Sequence, residues 1–195
     1  MPTETLPEYQ KLLELEFGYI KDTAHQTIDD RYKFLNFYIG LTTLVATVST
    51  GLLSFTGGNF PTNMRIGIGL LSLSLAIVGW VFLAMFIRLR QAWHESIVAL
   101  NTIKNFYVSH AVISIKDAFA WDMNTIPKPH KMWNIHFYSS LLIILINSGF
   151  LGTGTVLLTS LAVDTLSAMV IGAALALFSL IFQTLIYRKH LAANI

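Results

Sequence analysis

Four stretches of this chain, residues 34–55, 66–87, 133–158 and 166–187, each run for more than twenty residues without a Lys, Arg, Asp or Glu. A helix rising 1.5 Å per residue needs ~20 apolar residues to cross ~30 Å of hydrocarbon, so each stretch is expected to span a bilayer. Buried helices of soluble proteins rarely run so long without a charge. Spans 1 and 2 are separated by Gly57-Gly58-Asn59-Phe60-Pro61, a strong turn and helix-breaking sequence. Spans 3 and 4 are separated by residues 159–165, where Asp164 is placed to cap the fourth helix. The pattern therefore predicts two tight transmembrane hairpins, with a polar segment at 88–132 between them.

The flanking segments keep a helical rhythm. Leu13, Phe17, Ile20, Ala24 and Ile28 recur at steps of three and four, with acids and amides between them. No proline separates this segment from span 1, so one long helix is expected, with a hinge at Gly18. Span 2 is expected to continue to about Ile115. Its extension carries an apolar face of Trp93, Ile97, Leu100, Ile103, Tyr107 and Ala111 and a polar face of Arg90, His94, Asn101 and Asn105. Trp93, Leu100, Ile103 and Tyr107 are the expected contact and docking residues of this cytoplasmic region, which should pack on the N-terminal helix. Ala118-Phe119-Ala120-Trp121 is expected at the membrane surface, and Pro127 and Pro129 stiffen the return into span 3.

The resulting expectation is an all-α integral membrane protein. Residues 1–33 form a cytoplasmic amphipathic helix and 34–87 the first transmembrane hairpin. Residues 88–132 form a cytoplasmic helical extension and linker, 133–187 the second hairpin, and 188–195 a cytoplasmic tail.

Composition agrees. The chain has 195 residues, 54% hydrophobic and only 12% charged, with a mean hydropathy of +0.59. Disorder, a coiled coil and an ordinary soluble enzyme are excluded. The chain has no cysteine, which removes disulfides and zinc–thiolate sites. Residues 1–33 hold seven acids against four bases, unlike a signal peptide. Of the thirteen Lys and Arg residues, all but Arg65 fall in the N-terminal region, the middle segment or the C-terminal tail. The positive-inside rule assigns those parts to the cytoplasm, so both termini are expected inside, in the inner or plasma membrane. Tyr32, Tyr38, Trp133, Tyr138 and Tyr187 are placed as aromatic anchors at the inner boundary. Arg88, Arg90, Arg188 and Lys189 are placed to meet phosphate headgroups.

In hydrocarbon, small and polar positions carry the information, because apolar side chains gain nothing by leaving lipid. Span 1 places Asn36, Gly40, Thr43, Thr47, Thr50 and Ser54 on one face at a 3.5-residue period. Span 2 shows Gly69, Ser72, Ala76 and Gly79. Span 3 shows His136, Ser140, Asn147 and Gly154. Span 4 shows Thr165, Ala168, Gly172, Ala176, Ser179 and Gln183. Close helix packing explains spans 2 and 4. The span-1 stripe, polar over the full membrane depth, is also the pattern of a pore lining or a helix interface. Asn147, deep in span 3, and Gln183, toward the inner end of span 4, are the intramembrane amides, suited either to an ion or ligand or to a hydrogen bond with a neighbouring helix.

No catalytic constellation, metal-ligand motif or phosphate loop is present in the sequence, so no enzyme, metal or cofactor is expected. Nucleic acid is not an expected partner, since no basic run supports it. The expected partners are the lipid bilayer, further copies of the chain and a cytoplasmic protein.

Two segments carry a resemblance. One is Asp29-Asp30-Arg31-Tyr32-Lys33-Phe34-Leu35-Asn36-Phe37-Tyr38. The other runs from Arg88-Leu89-Arg90 through His94-Glu95-Ser96 to Asn105-Phe106-Tyr107. Both are similar to segments of small prokaryotic four-span membrane proteins of the kind linked to anti-phage and CRISPR accessory systems. The resemblance implies an oligomeric membrane protein and carries over no catalytic residue. Three functions are then open. The first is a homo-oligomeric pore or membrane-perturbing effector gated by its cytoplasmic helices. The second is a non-conducting scaffold or accessory subunit. The third is a small dimeric transporter.

Overall fold

The computed structural model describes residues 8–57, 61–110, 126 and 133–192. Among them the chain is all-α: α1 (Glu8–Phe55), α2 (Thr62–His110), α3 (Ile135–Thr159) and α4 (Thr165–Ala192). Each helix contains a window long and apolar enough to cross a membrane. Helix α1 continues through Gly18 without interruption. The segments Ala118–Trp121 and Pro127–Pro129, and the end of span 2's extension past His110, lie outside the described residues.

The helix ends follow local chemistry. Past Phe55, Thr56 N–H donates to Leu52 O, and Gly57 takes φ +62°, a left-handed conformation that costs glycine little. Asn134 caps α3, its side chain accepting from Phe137 N–H at 2.8 Å. Before it, Trp133 takes φ 63°, which is strained for a bulky side chain. Asp164 caps α4 by accepting from Ser167 N–H at 3.0 Å and Ser167 Oγ at 2.7 Å. These bonds to the charged form hold the Asp164 carboxyl below its ordinary range.

The chain divides into two units, Met1–Arg31 with Arg88–Lys131, and Tyr32–Ile87 with Met132–Ile195. In the first, α1 buries Ala24 and half-buries Leu13, Phe17, Ile20 and Ile28, while Leu12, Leu15 and Tyr19 are exposed. Helix α2 buries Leu100, Ile103 and Asn101, with Tyr107 Oη donating to Gln10 O at 3.4 Å. Asn101, read from the sequence as part of a polar face, is 1% exposed, and its Nδ2 donates back to Ile97 O.

In the second unit the core is Tyr38, Phe82, Leu83, Phe86, Ile87, Ile143, Ile144, Tyr187 and Leu191. Phe82 meets three rings of α1, Phe34, Phe37 and Tyr38, with centroids 5.1–6.3 Å away. Helices α3 and α4 touch along most of their length. The contacts step in opposite directions: Asn147 with Gln183, Ser148 with Ser179, Gly152 with Ala176, and Val156 with Gly172. A Cβ on Gly152 would lie 3.0 Å from that of Ala176, and one on Gly172 would collide with Val156. Gly69 and Gly154 bring α2 and α3 equally close, since a Cβ on Gly154 would lie 2.9 Å from Gly69 O. Small residues thus allow the backbones to approach and contact each other by dispersion.

Candidate functional site

The small and polar stripes of the four helices face different ways. Gly69, Ser72, Ala76 and Gly79 of α2 are all buried. So are His136, Ser140, Asn147 and Gly154 of α3, and Ala168, Gly172, Ser179 and Gln183 of α4, whereas Ala176 of the α4 stripe is half-buried and Thr165 is exposed. The α1 stripe is the reverse: Asn36, Gly40, Thr43, Thr47, Thr50 and Ser54 are all exposed. Within α1, Thr50 Oγ1 donates to Ala46 O at 2.9 Å and Ser54 Oγ to Thr50 O at 3.1 Å. Such back-bonds make an exposed hydroxyl inexpensive in an apolar medium. The face that α1 gives to the core instead carries Tyr38 and Thr42.

A cleft of about 410 Å³ lies among α1, α2 and α3. Ser49, Thr50, Ser72 and Thr153 supply hydroxyls, and Ile68, Ile146 and Phe150 supply apolar walls. Thr50 belongs both to this cleft and to the exposed stripe.

Deeper in the same unit lies a polar network. Asn147 Nδ2 donates to Gln183 Oε1 at 2.9 Å, and Gln183 Nε2 donates to Ser179 Oγ at 2.6 Å. Ser148 Oγ stands 3.4 Å from Ser179 Oγ. All four side chains are buried. The two intramembrane amides of the sequence are therefore partners. Ser148 was not singled out, because adjacency to Asn147 carries no signal until α4 is placed beside it.

Two of the expected aromatic anchors are turned into the bundle. Tyr38 and Tyr187, read as boundary residues, are 0% and 5% exposed. Tyr38 packs against Phe82 and Tyr187 against His136, whose ring also stacks on Phe86. Tyr32, Trp133 and Tyr138 are exposed. Tyrosine serves equally as a boundary anchor or as a core ring with one polar tip, and only its neighbours decide which.

Of the expected headgroup residues, Arg88, Arg188 and Lys189 are exposed, and Arg88 pairs with Glu95 at 3.6 Å. Arg90 is turned inward, with its guanidinium carbon 4.3 Å from the centroid of the Trp93 ring. The partial burial of His94, with Arg90 nearby, pushes its pKa below the ordinary 6.5, against a smaller opposing pull from Glu95. Among the described residues, no group of three His, Asp or Glu stands close enough to hold a metal ion. Comparison with protein-family models, with curated proteins and with solved structures finds no match to the chain.

Proposed function

We infer that the chain is an integral membrane protein of four spanning helices, arranged as two hairpins with both termini in the cytoplasm, and that it works as a homo-oligomer. The α1 stripe faces the common axis of the copies and lines a polar path, and residues 1–33 and 88–132 form the cytoplasmic region that gates it. The observation supporting this reading is the outward orientation of Asn36, Gly40, Thr43, Thr47, Thr50 and Ser54. Helices α2, α3 and α4 bury most of their stripe residues in the bundle, Gly69, Ser72, Ala76, Gly79, Asn147, Gly154, Gly172 and Gln183 among them. Helix α1 spends its six on the outside, where lipid offers hydroxyls and an amide no partner and other copies offer many.

The expected assembly is a closed ring of four or more subunits, measured by native mass spectrometry in mild detergent. In proteoliposomes, Thr43→Leu/Thr47→Leu/Thr50→Leu is expected to abolish ion flux and leave the ring intact. Undiminished flux in that variant, or a monomer or dimer from native chain, would sink the axial path. The scaffold reading draws on a different observation, the exposed row Leu12, Leu15 and Tyr19 on the first unit. It predicts a stoichiometric cytoplasmic partner whose capture is lost in Leu12→Ser/Leu15→Ser.

A further inference from the structure

Tyr38 Oη and Asn147 Oδ1 are two of the side-chain oxygens in the core of the second unit that are buried without a hydrogen-bond partner among the described residues. Both residues are 0% exposed. They converge on one place. A Cβ built on Gly79 would stand 2.5 Å from Asn147 Oδ1 and 2.9 Å from Tyr38 Oη. The two oxygens are therefore no farther apart than two hydrogen bonds laid end to end.

The surrounding bonds set this arrangement. Asn147 commits its Nδ2 to Gln183 Oε1, which leaves Oδ1 turned toward Gly79. Tyr38 comes from α1, and its ring is held against Phe82 at 5.1 Å, so the phenol cannot swing out to the boundary without leaving the aromatic cluster. Gly79 has no side chain, which is why a phenol from α1 and an amide from α3 can both reach the α2 backbone. Gly79 lies eight residues below Ile87, about 12 Å along the helix. At that depth hydrocarbon supplies no donor or acceptor, so a polar atom without a partner is strongly disfavoured.

We propose that one water molecule binds beside Gly79, accepting from Tyr38 Oη–H and donating to Asn147 Oδ1. It extends the network of Asn147, Gln183, Ser179 and Ser148 to the phenol, so one continuous set of hydrogen bonds ties α1 to α3 and α4 past the α2 backbone. A water fits the chemistry better than a cation. One partner is a donor by virtue of its phenol proton, and no carboxylate is among the residues of the network. The site concerns the face of α1 opposite the exposed stripe, so it stands or falls independently of the proposed axial path.

The test is water-edited solid-state NMR on the full chain in vesicles of chain-deuterated phosphatidylcholine, with ¹³C,¹⁵N-labelled Asn, Tyr and Ile. Polarisation is passed from water protons to the protein. Asn147 Cγ and Tyr38 Cζ, each bonded to an oxygen that the water touches, are expected to gain about threefold or more signal over the buried methyls of Ile143 and Ile144. Tyr38→Phe takes away one of the two partners, and the Asn147 signal should then fall to the Ile143 level. Transfer to Asn147 no greater than to Ile143 in the native chain would overturn the proposal. A shift of the Asn147 resonances when Na⁺ is replaced by choline would also overturn it, in favour of a cation. The native-chain measurement decides the matter even if Tyr38→Phe fails to fold.

Discussion

Asn147 and Gln183 join α3 to α4 through a single 2.9 Å hydrogen bond between fully buried amides, thirty-six residues apart in sequence. Gln183 in turn reaches Ser179, one turn back on its own helix. In water such a bond would compete with solvent. Between apolar helices, the alternative for each amide is a partner on some other helix or none. The bond thereby selects how α3 and α4 are rotated toward each other, a role that apolar contacts perform poorly when lipid matches them in polarity.

Removing one amide should cost more than removing both. Asn147→Leu leaves Gln183 Oε1 without its donor, and the expected loss of stability is about 1–2 kcal/mol, near the upper range for hydrogen bonds inside membranes. Gln183→Leu should cost a similar amount. The double variant should recover part of the loss, because no amide is left alone. A thermodynamic cycle in detergent, read by SDS titration, measures the coupling. Strict additivity of the two losses would show that the bond contributes nothing.

The glycines divide into two classes that one substitution separates. Gly172→Ala would drive its methyl into Val156, whereas Gly149 has nothing within 4 Å of its Cβ position. Gly172→Ala should destabilise the bundle by about 1–3 kcal/mol through overpacking. Gly149→Ala should change stability by less than about 0.5 kcal/mol, as surface substitutions do. Equal melting temperatures for the two variants would contradict the α3–α4 packing.

His94 provides a pH signature for the first unit. Its folded-state pKa lies below the ordinary 6.5, so the unfolded chain takes up the proton first as pH falls. The stability contributed by neutral His94 is thus complete above about pH 6.5 and lost as pH drops below it. The His94 ring resonances should titrate with a midpoint under 6.5. Arg90→Gln should move that midpoint upward by removing the nearby positive charge, and Glu95→Gln should move it downward. A midpoint at or above 6.5 in the native chain would refute the assigned environment.

How much could be read before the fold was known differs from residue to residue. The four long helices follow from uncharged runs and from turns at Gly57 and Asp164, because helix length and end-capping are local properties. The core-facing row Leu13, Phe17, Ile20, Ala24 and Ile28 likewise follows from a 3.6-residue repeat with polar residues opposite. That repeat is informative only where water contrasts with a core. Inside the uncharged spans both lipid and core are apolar, so periodicity shows that small and polar residues share a face but not where the face points. All four stripes are legible in sequence, but not the side to which each turns. Contacts among α2, α3 and α4 turned three of them inward, and α1 buried Tyr38 and Thr42 instead, leaving its threonines outside. The same contacts decided that Asn147 and Gln183 are partners and that Tyr38 is a core residue. The chain alone determined the four long helices seen among the described residues and the turns that follow Phe55 and precede Thr165. Their rotation about their own axes came only with tertiary packing, because it depends on which backbone can approach which glycine and which amide finds another.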